Sequence, residues 1–310
     1  MIKYLTHNQI DKEKWDDCIS LSFNGNVYAW SWYLDIVHPN WEALVEDNYK
    51  RVMPLTGGRK FGINYLYQPF FVQQLGVFSQ KQLSSDVVSN FISSIPSKYR
   101  FAEIRLNIHN KFDSDTLIVD CHRNVELDLI SDYDSLYKNY NNNTKRNLAK
   151  AHANDIVVVK QINPEMIINL FRNNKGKDVI HWGKKEYDRL LQLIYTAIYH
   201  DSCLLYGAVR ENSDSLVAGA VFMFSHDRIV FLFSGADESN TENHALTLVL
   251  DYVIHDFSGT QNTLDFEGSD SDSLARFYKG FGGKELYYNG VNFNKLNGLA
   301  KWALRKWKGK

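Results

Sequence analysis

The feature that most constrains the fold of this chain is the order of its predicted elements, which occurs twice along the 310 residues. Each series combines helical patterns with short strands rich in β-branched and aromatic residues. The first series has helices at Asp11–Ser20, Tyr28–Val37 and Ser84–Ile95 and strands at Trp41–Glu46, Tyr49–Leu55 and Arg100–Asn107. The second begins with a strand at Val125–Leu129 and a helical stretch at Tyr133–Asn154, and it closes with a strand at Lys284–Asn289. This order predicts an α/β (α+β) chain of two lobes, residues 1–120 and 121–310, each a mixed, mostly antiparallel sheet flanked by helices.

Charge and cysteine usage restrict the possible partners and the compartment. A formal net charge of -1 gives no global attraction to nucleic acid or to anionic membranes. Three widely spaced cysteines form neither a disulfide framework nor a metal-binding cluster, and the histidines show no metal-ligand spacing, so no metal is expected. The chain has no run of about 18 apolar residues, and residues 1–17 lack the apolar centre of a signal peptide. We expect a cytoplasmic protein.

The densest local signal is a strand–turn–helix pattern at Thr263–Phe281. The strand ends in Glu267, Gly268 and Ser269, and a helix follows directly. The pattern places Glu267 and Ser269 at the carboxyl edge of a sheet, where α/β folds form their ligand crevices. The alternative is that Ser269 or Ser271 caps the helix and that Glu267 pairs with a nearby cation.

Three segments resemble the FemAB-like branch of the GNAT superfamily. The segment LDFEGSDSDSLARFYKGFGG, from Leu264, resembles the closing motif of that branch, and NTKRNLAKAHANDIVVV, from Asn143, is similar to its basic helix and following strand. The segment VMPLTGGRKFGINYLYQPFFVQQLGVFS, from Val52, resembles a strand pair of the first lobe. The resemblance spans about Trp30–Asn289. It implies two tandem GNAT-like lobes of a bacterial type that transfer an acyl or aminoacyl group to an amine, with acetyl-CoA or aminoacyl-tRNA as donor.

The resemblance also suggests roles for individual residues. Glu267 is the candidate general base, and Tyr278 or Lys279 would steady the donor or the intermediate. The candidate substrate-binding residues are Lys145, Arg146, Ser269, Arg276, Gln68 and Gln73. The acceptor would be a small molecule or a peptide, possible examples being a cell-envelope precursor or a related compound. The alternatives are that the basic residues form a solvated helix face and that the glutamines decorate the rim of a core strand.

Three segments depart from a standard member of that superfamily. The loop Gly235–Ala245 has one glycine and three acidic residues, whereas a pyrophosphate-binding loop is rich in glycine. The segment Asn173–Lys185 is too short for the helical-hairpin insertion of some members. The tail Asn294–Lys310 is basic and has an apolar helical stripe. A degenerate GNAT-like module that binds a ligand without transferring it therefore stays open, as does a nucleic-acid-binding protein that uses the tail. The sequence does not indicate an oligomeric state.

Overall fold

The chain forms two compact units in a computed structural model, which describes residues 1–114, 117–179, 182–211, 215–237, 244–296 and 298. One unit comprises Met1–His122 and Tyr287–Lys310, and the other comprises Arg123–Leu286. We call them unit 1 and unit 2. The sequence-based boundary between residues 120 and 121 stays a prediction.

The described residues contain nine α-helices and fourteen strands. The helices are α1 Lys12–Ser20, α2 Ser31–Val37, α3 Ser85–Ser93, α4 Tyr133–Lys138, α5 Asn142–Ala153, α6 Pro164–Asn173, α7 Lys184–Tyr199, α8 Ala245–Phe257 and α9 Asp272–Lys279. The strands are β1 Ile2–Leu5, β2 Glu42–Glu46, β3 Arg51–Leu55, β4 Gly57–Lys60, β5 Ile63–Tyr67, β6 Phe78–Ser79, β7 Tyr99–Arg105, β8 Ile118–Asp128, β9 Ile156–Lys160, β10 Cys203–Arg210, β11 Leu216–Ser225, β12 Arg228–Ala236, β13 Thr263–Asp265 and β14 Lys284–Asn294. The chain passes between the units within β8 and again within β14.

Unit 1 contains an antiparallel sheet in the order β1-β2-β3-β6 and a second set of strands in the order β4-β5-β7-β14. Its core forms between these strands and α3, where Val88, Phe91 and Ile92 share one helical face and are buried. The double glycine Gly57-Gly58 forms the first two residues of β4, directly after β3 has ended at Leu55. Tyrosine rings from neighbouring strands cover both glycines, and a Cβ at Gly57 would lie 2.7 Å from the ring of Tyr99.

Unit 2 has six strands in the order β8-β13-β12-β11-β10-β9. Only β12 and β13 pair in parallel among the residue pairs described within this unit, and α8 connects them. This helix is apolar around most of its circumference, because it packs in the centre of the core against β10, β11 and α5. The sheet places the carboxyl ends of β12 and β13 at one edge.

The predicted helical stretch Tyr133–Asn154 is two helices, α4 and α5, rather than one. The asparagine run explains the break. The side chain of Asn141 accepts a hydrogen bond from the backbone N–H of Thr144 at 2.8 Å and so starts a new helix. The side chain of Asp132 caps α4 in the same way. The interruption gives α5 its own N-terminus, close to which the basic residues Lys145 and Arg146 lie.

The repeated element order is present in both units. In unit 1, β1 is followed by two helices, several strands, α3 and the strand β7; in unit 2, β9 is followed by α6, α7, β10, β11, β12, α8 and β13. In both units the last helix of the series is followed by a strand that pairs in parallel with an earlier strand, β7 with β5 and β13 with β12. The mixed, mostly antiparallel α/β fold predicted from the sequence is therefore confirmed. Within the described residues, no helix has the length and apolar character needed to cross a bilayer.

Candidate active site

The turn that follows β13 has an unusual backbone. Glu267 and Gly268 both have positive φ, 49° and 55°. For glutamate this left-handed conformation costs about 1–2 kcal/mol, so the surroundings must hold it. The carboxylate of Asp265 accepts a hydrogen bond from the backbone N–H of Glu267 at 3.0 Å, and the hydroxyl of Ser269 donates to the carbonyl oxygen of Glu267 at 2.8 Å. Two side-chain hydrogen bonds thus fix the backbone of Glu267 on both sides.

The carboxyl group of Glu267 points into the protein. Its Oε1 atom is buried and has no hydrogen-bond partner within the described part of the chain, although the residue as a whole is partly exposed. Burial disfavours the charged form, and it raises the pKa of the Glu267 carboxyl well above the ordinary value of 4.5. A buried acid without a cation partner is uncommon in a stable core and is typical of a functional site.

The phenol of Tyr278 lies close enough to this carboxyl group for the charge of Glu267 to affect it. Tyr278 lies on the inner face of α9, and its ring stacks on Phe266 with centroids 4.8 Å apart. Burial, and then the charge of Glu267, raise the pKa of the Tyr278 phenol above its ordinary range. Tyr278 therefore keeps its proton at neutral pH and can act as a hydrogen-bond donor.

A buried charge network supports the turn from the strand side. Glu126 on β8 and Asp265 on β13 are directly opposite each other, an arrangement that is repulsive for two carboxylates. Arg228 on β12 donates to both, at 2.8 Å to Asp265, and Asn124 donates to Asp265 at 2.8 Å and to Glu126 at 3.1 Å. Burial and the nearby Asp265 raise the pKa of the Glu126 carboxyl. The network holds Asp265 in the position from which it binds Glu267.

Arg123 clamps the outer side of the same turn. Its side chain donates from Nε to the carbonyl oxygen of Ser269 at 2.8 Å and from a terminal nitrogen to the carboxylate of Asp272 at 2.7 Å. Its backbone N–H also donates to the carboxylate of Asp270 at 2.8 Å. One arginine thus joins the first residue of α9 to the turn that carries Glu267.

The two parallel strands separate next to this turn. Paired residues join β12 and β13 only at Arg228–Val230, and within the described residues β12 continues to Ala236 without a further partner on β13. Just after the separation, Leu232 is an extra residue, because Phe222 pairs with Phe231 and Val221 with Phe233. Phe231 contacts Tyr278, with ring centroids 6.2 Å apart. The free edge of β12 and its bulge therefore lie beside the Glu267–Tyr278 pair. Bulges are frequent next to active sites, and ligands commonly bind where parallel strands separate.

The other candidates on α9 lie outside this pair. The amine of Lys279 is half exposed and binds Glu285 at 3.0 Å, so the ion pair holds it on the outer side of the helix. Arg276 is exposed, and its charge contributes to lowering the pKa of Asp272. Ser269 is fully buried and serves the turn through the hydrogen bond already described. The structure brings Glu267, Ser269 and Tyr278 together, while Lys279 and Arg276 face solvent.

The basic helix α5 reaches the end of α9. The backbone N–H of Asn141 donates to the carbonyl oxygen of Gly280 at 2.9 Å, and Thr144 lies so close that a side chain at Gly280 would collide with it. Lys145 donates to the carbonyl oxygen of Lys138 at 3.1 Å, and the exposed Arg146 donates to Asn143 at 2.6 Å. The structure thus brings the N-terminal end of α5 to the segment that follows α9.

Gln68 and Gln73 belong to unit 1, whereas the other candidate residues belong to unit 2. The Oε1 atom of Gln68 accepts a hydrogen bond from the backbone N–H of Arg105 at 3.1 Å. Gln73 is buried and accepts a hydrogen bond from Gln74 at 3.2 Å. Gln68 lines a cavity of about 370 Å³.

The acidic loop at Gly235–Ala245 is described only in part, since residues 238–243, including Glu238 and Glu242, lie outside the described residues. Its one glycine packs against a helix. A Cβ at Gly235 would lie 2.5 Å from the carbonyl oxygen of Ile167 and 2.7 Å from the backbone nitrogen of Phe171, both on α6. Gly235 is therefore required for the close approach of a helix and a strand. His181 lies outside the described residues, and so does most of the tail that begins at Asn294.

No metal centre is visible in the part of the chain that the structure describes, since no group of three or more His, Cys, Asp or Glu side chains is arranged to hold an ion. The roles assigned from the sequence to individual residues stay predictions. Sequence reasoning missed Arg123, Asn124, Glu126 and Arg228. They come from two separate strands and follow no local motif, and the only signal was an arginine and a glutamate inside predicted strands.

No family model matches the chain, and no curated protein matches it by sequence. Solved structures do match. FemX is 10% identical with a TM-score of 0.62, over 97% of this chain and 99% of that one. A tandem GNAT protein from the clavulanic acid biosynthesis pathway is 10% identical with a TM-score of 0.52, over 96% and 99%. L-PGS from Bacillus licheniformis is 8% identical with a TM-score of 0.54, over 93% and 92%. The chain therefore has a FemAB-like fold of two tandem GNAT-like lobes.

Proposed function

We propose that the protein is an N-acyltransferase, which moves an acyl or aminoacyl group to an amine at the Glu267 turn. The observation that carries the proposal is the buried carboxyl group of Glu267 at the carboxyl end of a strand, where two parallel strands separate. Its Oε1 atom has no hydrogen-bond partner among the described residues. The proteins with the same fold support this kind of chemistry, since their names describe a GNAT protein and, in a further match with a TM-score of 0.51, a putative lysylphosphatidylglycerol synthetase.

The raised pKa gives Glu267 the properties of a general base. An amine attacks a carbonyl carbon only in its neutral form, so an ammonium acceptor must first lose a proton. A buried carboxylate is more basic than an exposed one, and its affinity for a proton lies closer to that of the amine. Glu267 would take the proton from the amine through Oε1.

The transfer itself needs groups that stabilise the negative charge of the oxyanion and a group that donates a hydrogen bond to the leaving sulfur or oxygen. The amine nitrogen forms a bond to the acyl carbon, and the bond from that carbon to the sulfur or oxygen of the donor breaks. Backbone N–H groups on the bulged edge of β12 near Leu232 are suited to stabilise the oxyanion, because within the described residues β13 offers them no partner there. Tyr278 retains its proton and would donate a hydrogen bond to the leaving sulfur or oxygen, which finally takes up the proton that Glu267 removed from the amine.

The basic residues suit an anionic part of the donor or acceptor. Lys145 and Arg146 on α5 lie near the end of α9, and Arg276 is exposed on α9 itself. We propose that they bind phosphate or carboxylate groups of a substrate. A peptide or small molecule of the cell-envelope precursor type has such groups, and so does a tRNA.

The position of Gly235 bears on the donor. Because Gly235 packs against the backbone of α6, this glycine is not free to approach the phosphates of a donor. This favours an aminoacyl-tRNA, or another donor, over acetyl-CoA. The same observation supports the second candidate function, a GNAT-like module that binds a ligand without transferring an acyl group.

The test is an amide-formation assay followed by mass spectrometry. Acetyl-CoA and aminoacyl-tRNA are each combined with a set of primary amines, and donor binding is measured in parallel by thermal shift. We expect an amide product with one donor, reduced about 100-fold or more in Glu267→Gln. The matched control, Glu211→Gln, changes an exposed glutamate in the turn after β10 and should keep full activity. Donor binding without product in any combination would favour the binding module.

A further inference from the structure

Unit 1 contains a polar cavity of about 370 Å³ that has no part in the chemistry proposed for unit 2. Besides Tyr67, its polar lining residues are Gln68, Glu103, Arg105, Asp120, His122 and Asn292. A volume in this range is typical of small-molecule sites, which extend from about 300 to 1,000 Å³. Two carboxylates, one guanidinium, an imidazole and two amides thus converge in one concave space.

The sheet topology places this cavity where ligands commonly bind. The parallel strands β5 and β7 are paired as far as Tyr67 and Glu103, and the chain beyond Tyr67 then leaves β7. Ligands bind at such points, where parallel strands separate at their carboxyl ends. Glu103 and Arg105 line the cavity and alternate along β7 with the core residues Ala102 and Ile104, of which Ile104 also lines the cavity.

The third strand of this face leaves space for the cavity. On β14, Asn292 is opposite Glu103, and Gly290 is opposite Arg105. A Cβ at Gly290 would lie 2.8 Å from Nε2 of His122, so a larger residue would displace that imidazole. The ring of His122 stacks on Tyr288 with centroids 5.4 Å apart. The imidazole is therefore held at the wall of the cavity.

Gln68 provides the observation that points to a ligand. Its Oε1 atom accepts the backbone N–H of Arg105 at 3.1 Å, and this hydrogen bond sets the orientation of the amide, since only the oxygen can accept. The Nε2 atom is buried and has no partner in the described part of the chain. An amide N–H₂ group in this position requires an acceptor, such as a carboxylate or carbonyl oxygen of a bound molecule.

The charges of the lining define the rest of the ligand. Glu103 and Asp120 bring two carboxylates to the site, and the amide of Asn292 donates to Asp120. The two carboxylates attract an ammonium group, and the guanidinium of Arg105 attracts a carboxylate of the same molecule. The lining therefore matches a molecule with one cationic end and one acceptor end.

We propose that this cavity binds a small zwitterion, an α-amino acid or a dipeptide. Its ammonium group lies against Glu103 and Asp120, and its carboxylate accepts from Nε2 of Gln68. The proposed site contains no residue of the Glu267 turn. Its test is a binding measurement without turnover, so it can succeed or fail independently of the transferase proposal.

The experiment is isothermal titration of the full chain with L-alanine, L-lysine and L-alanyl-L-alanine. Ethylamine, acetate and inorganic phosphate serve as probes with one kind of charge. We expect at least one zwitterion to bind with a Kd of about 1 mM or below, and the single-charge probes to bind at least about 10-fold more weakly. The proposal is overturned if no zwitterion binds in that range, or if a single-charge probe binds as tightly.

Variants locate the binding to this cavity. Gln68→Leu removes the donor and should weaken zwitterion binding about 10-fold, while the matched control Gln82→Leu, at an exposed glutamine, should not change it. Glu103→Gln changes an exposed residue, so it should keep the fold, and it should weaken binding of the ammonium group by a similar factor. Glu267→Gln should bind normally. Unchanged affinity in both Gln68→Leu and Glu103→Gln would overturn the assignment.

Discussion

Replacing Glu267 with glutamine should change how the stability of the protein depends on pH. Glutamine has nearly the same shape as glutamate but carries no charge at any pH. In the folded protein, burial raises the pKa of the Glu267 carboxyl well above 4.5, whereas the unfolded chain has the ordinary value. Above pH 4.5 the folded state therefore binds a proton that the unfolded state has lost, and each rise in pH favours unfolding.

The magnitude follows from proton linkage. One proton bound by the folded state and not by the unfolded state lowers the free energy of unfolding by about 1.4 kcal/mol per pH unit. The stabilisation from the buried acid is complete below pH 4.5 and disappears as the pH rises through the folded-state pKa. Between pH 5 and pH 7, two pH units set an upper limit of about 2.7 kcal/mol on this loss. The actual loss is smaller, because some atoms of the residue are exposed. The variant lacks this dependence.

The assay is urea denaturation of the wild type, Glu267→Gln and Glu211→Gln from pH 5 to pH 8. As the pH rises, the free energy of unfolding of Glu267→Gln should increase relative to that of the wild type. The free energy of unfolding of Glu211→Gln should change with pH in the same way as that of the wild type. The glutamine amide is itself buried, and this adds a constant cost that leaves the slope unchanged. Parallel curves for Glu267→Gln and the wild type would refute the raised pKa and, with it, the reasoning about the base.

Two further substitutions test the framework around the turn. Arg228→Met leaves Glu126 and Asp265 opposite each other without their cation and should lower the free energy of unfolding by about 3–5 kcal/mol. In urea denaturation the loss should be larger at pH 8 than at pH 5, because one of the two carboxyl groups can take up a proton at the lower pH. An equal loss at both pH values would contradict the network. Gly280→Ala places a methyl group against Thr144, so the end of α9 must move away from α5. The free energy of unfolding should fall by about 1–3 kcal/mol, and the melting temperature should fall with it. An unchanged melting temperature would show that the two helices do not pack this closely.

Local patterns were sufficient to predict the elements around the site. The predicted strand–turn–helix pattern at Thr263–Phe281 contains β13, which begins at Thr263, and α9, which ends at Lys279. Their signals are local, since an apolar strand run, a glycine turn and helical spacing each occupy neighbouring positions. The break between α4 and α5 was missed because the helical periodicity continues through the asparagine run, while the capping of Thr144 by Asn141 depends on side-chain geometry.

Long-range pairing limited the prediction of the site. The pairing of Arg228 with Glu126 joins residues 102 positions apart, and the contact between Asn292 and Asp120 joins residues 172 positions apart. No spacing rule within one strand or helix indicates such pairs. The buried state of the Glu267 carboxyl also depends on packing by Phe266 and Tyr278, which the sequence shows only as aromatic positions.

The measurement that tests the central claim most directly is the single-turnover rate of amide formation as a function of pH, with wild type and Glu267→Gln and a donor–acceptor pair that gives product. We predict a wild-type rate that rises with pH through an ionisation above 4.5, the ordinary pKa of glutamate, and a Glu267→Gln rate that is at least about 100-fold lower and lacks this ionisation. Equal rates and identical pH profiles for the two proteins would contradict the assignment of Glu267 as the base of an acyl transfer.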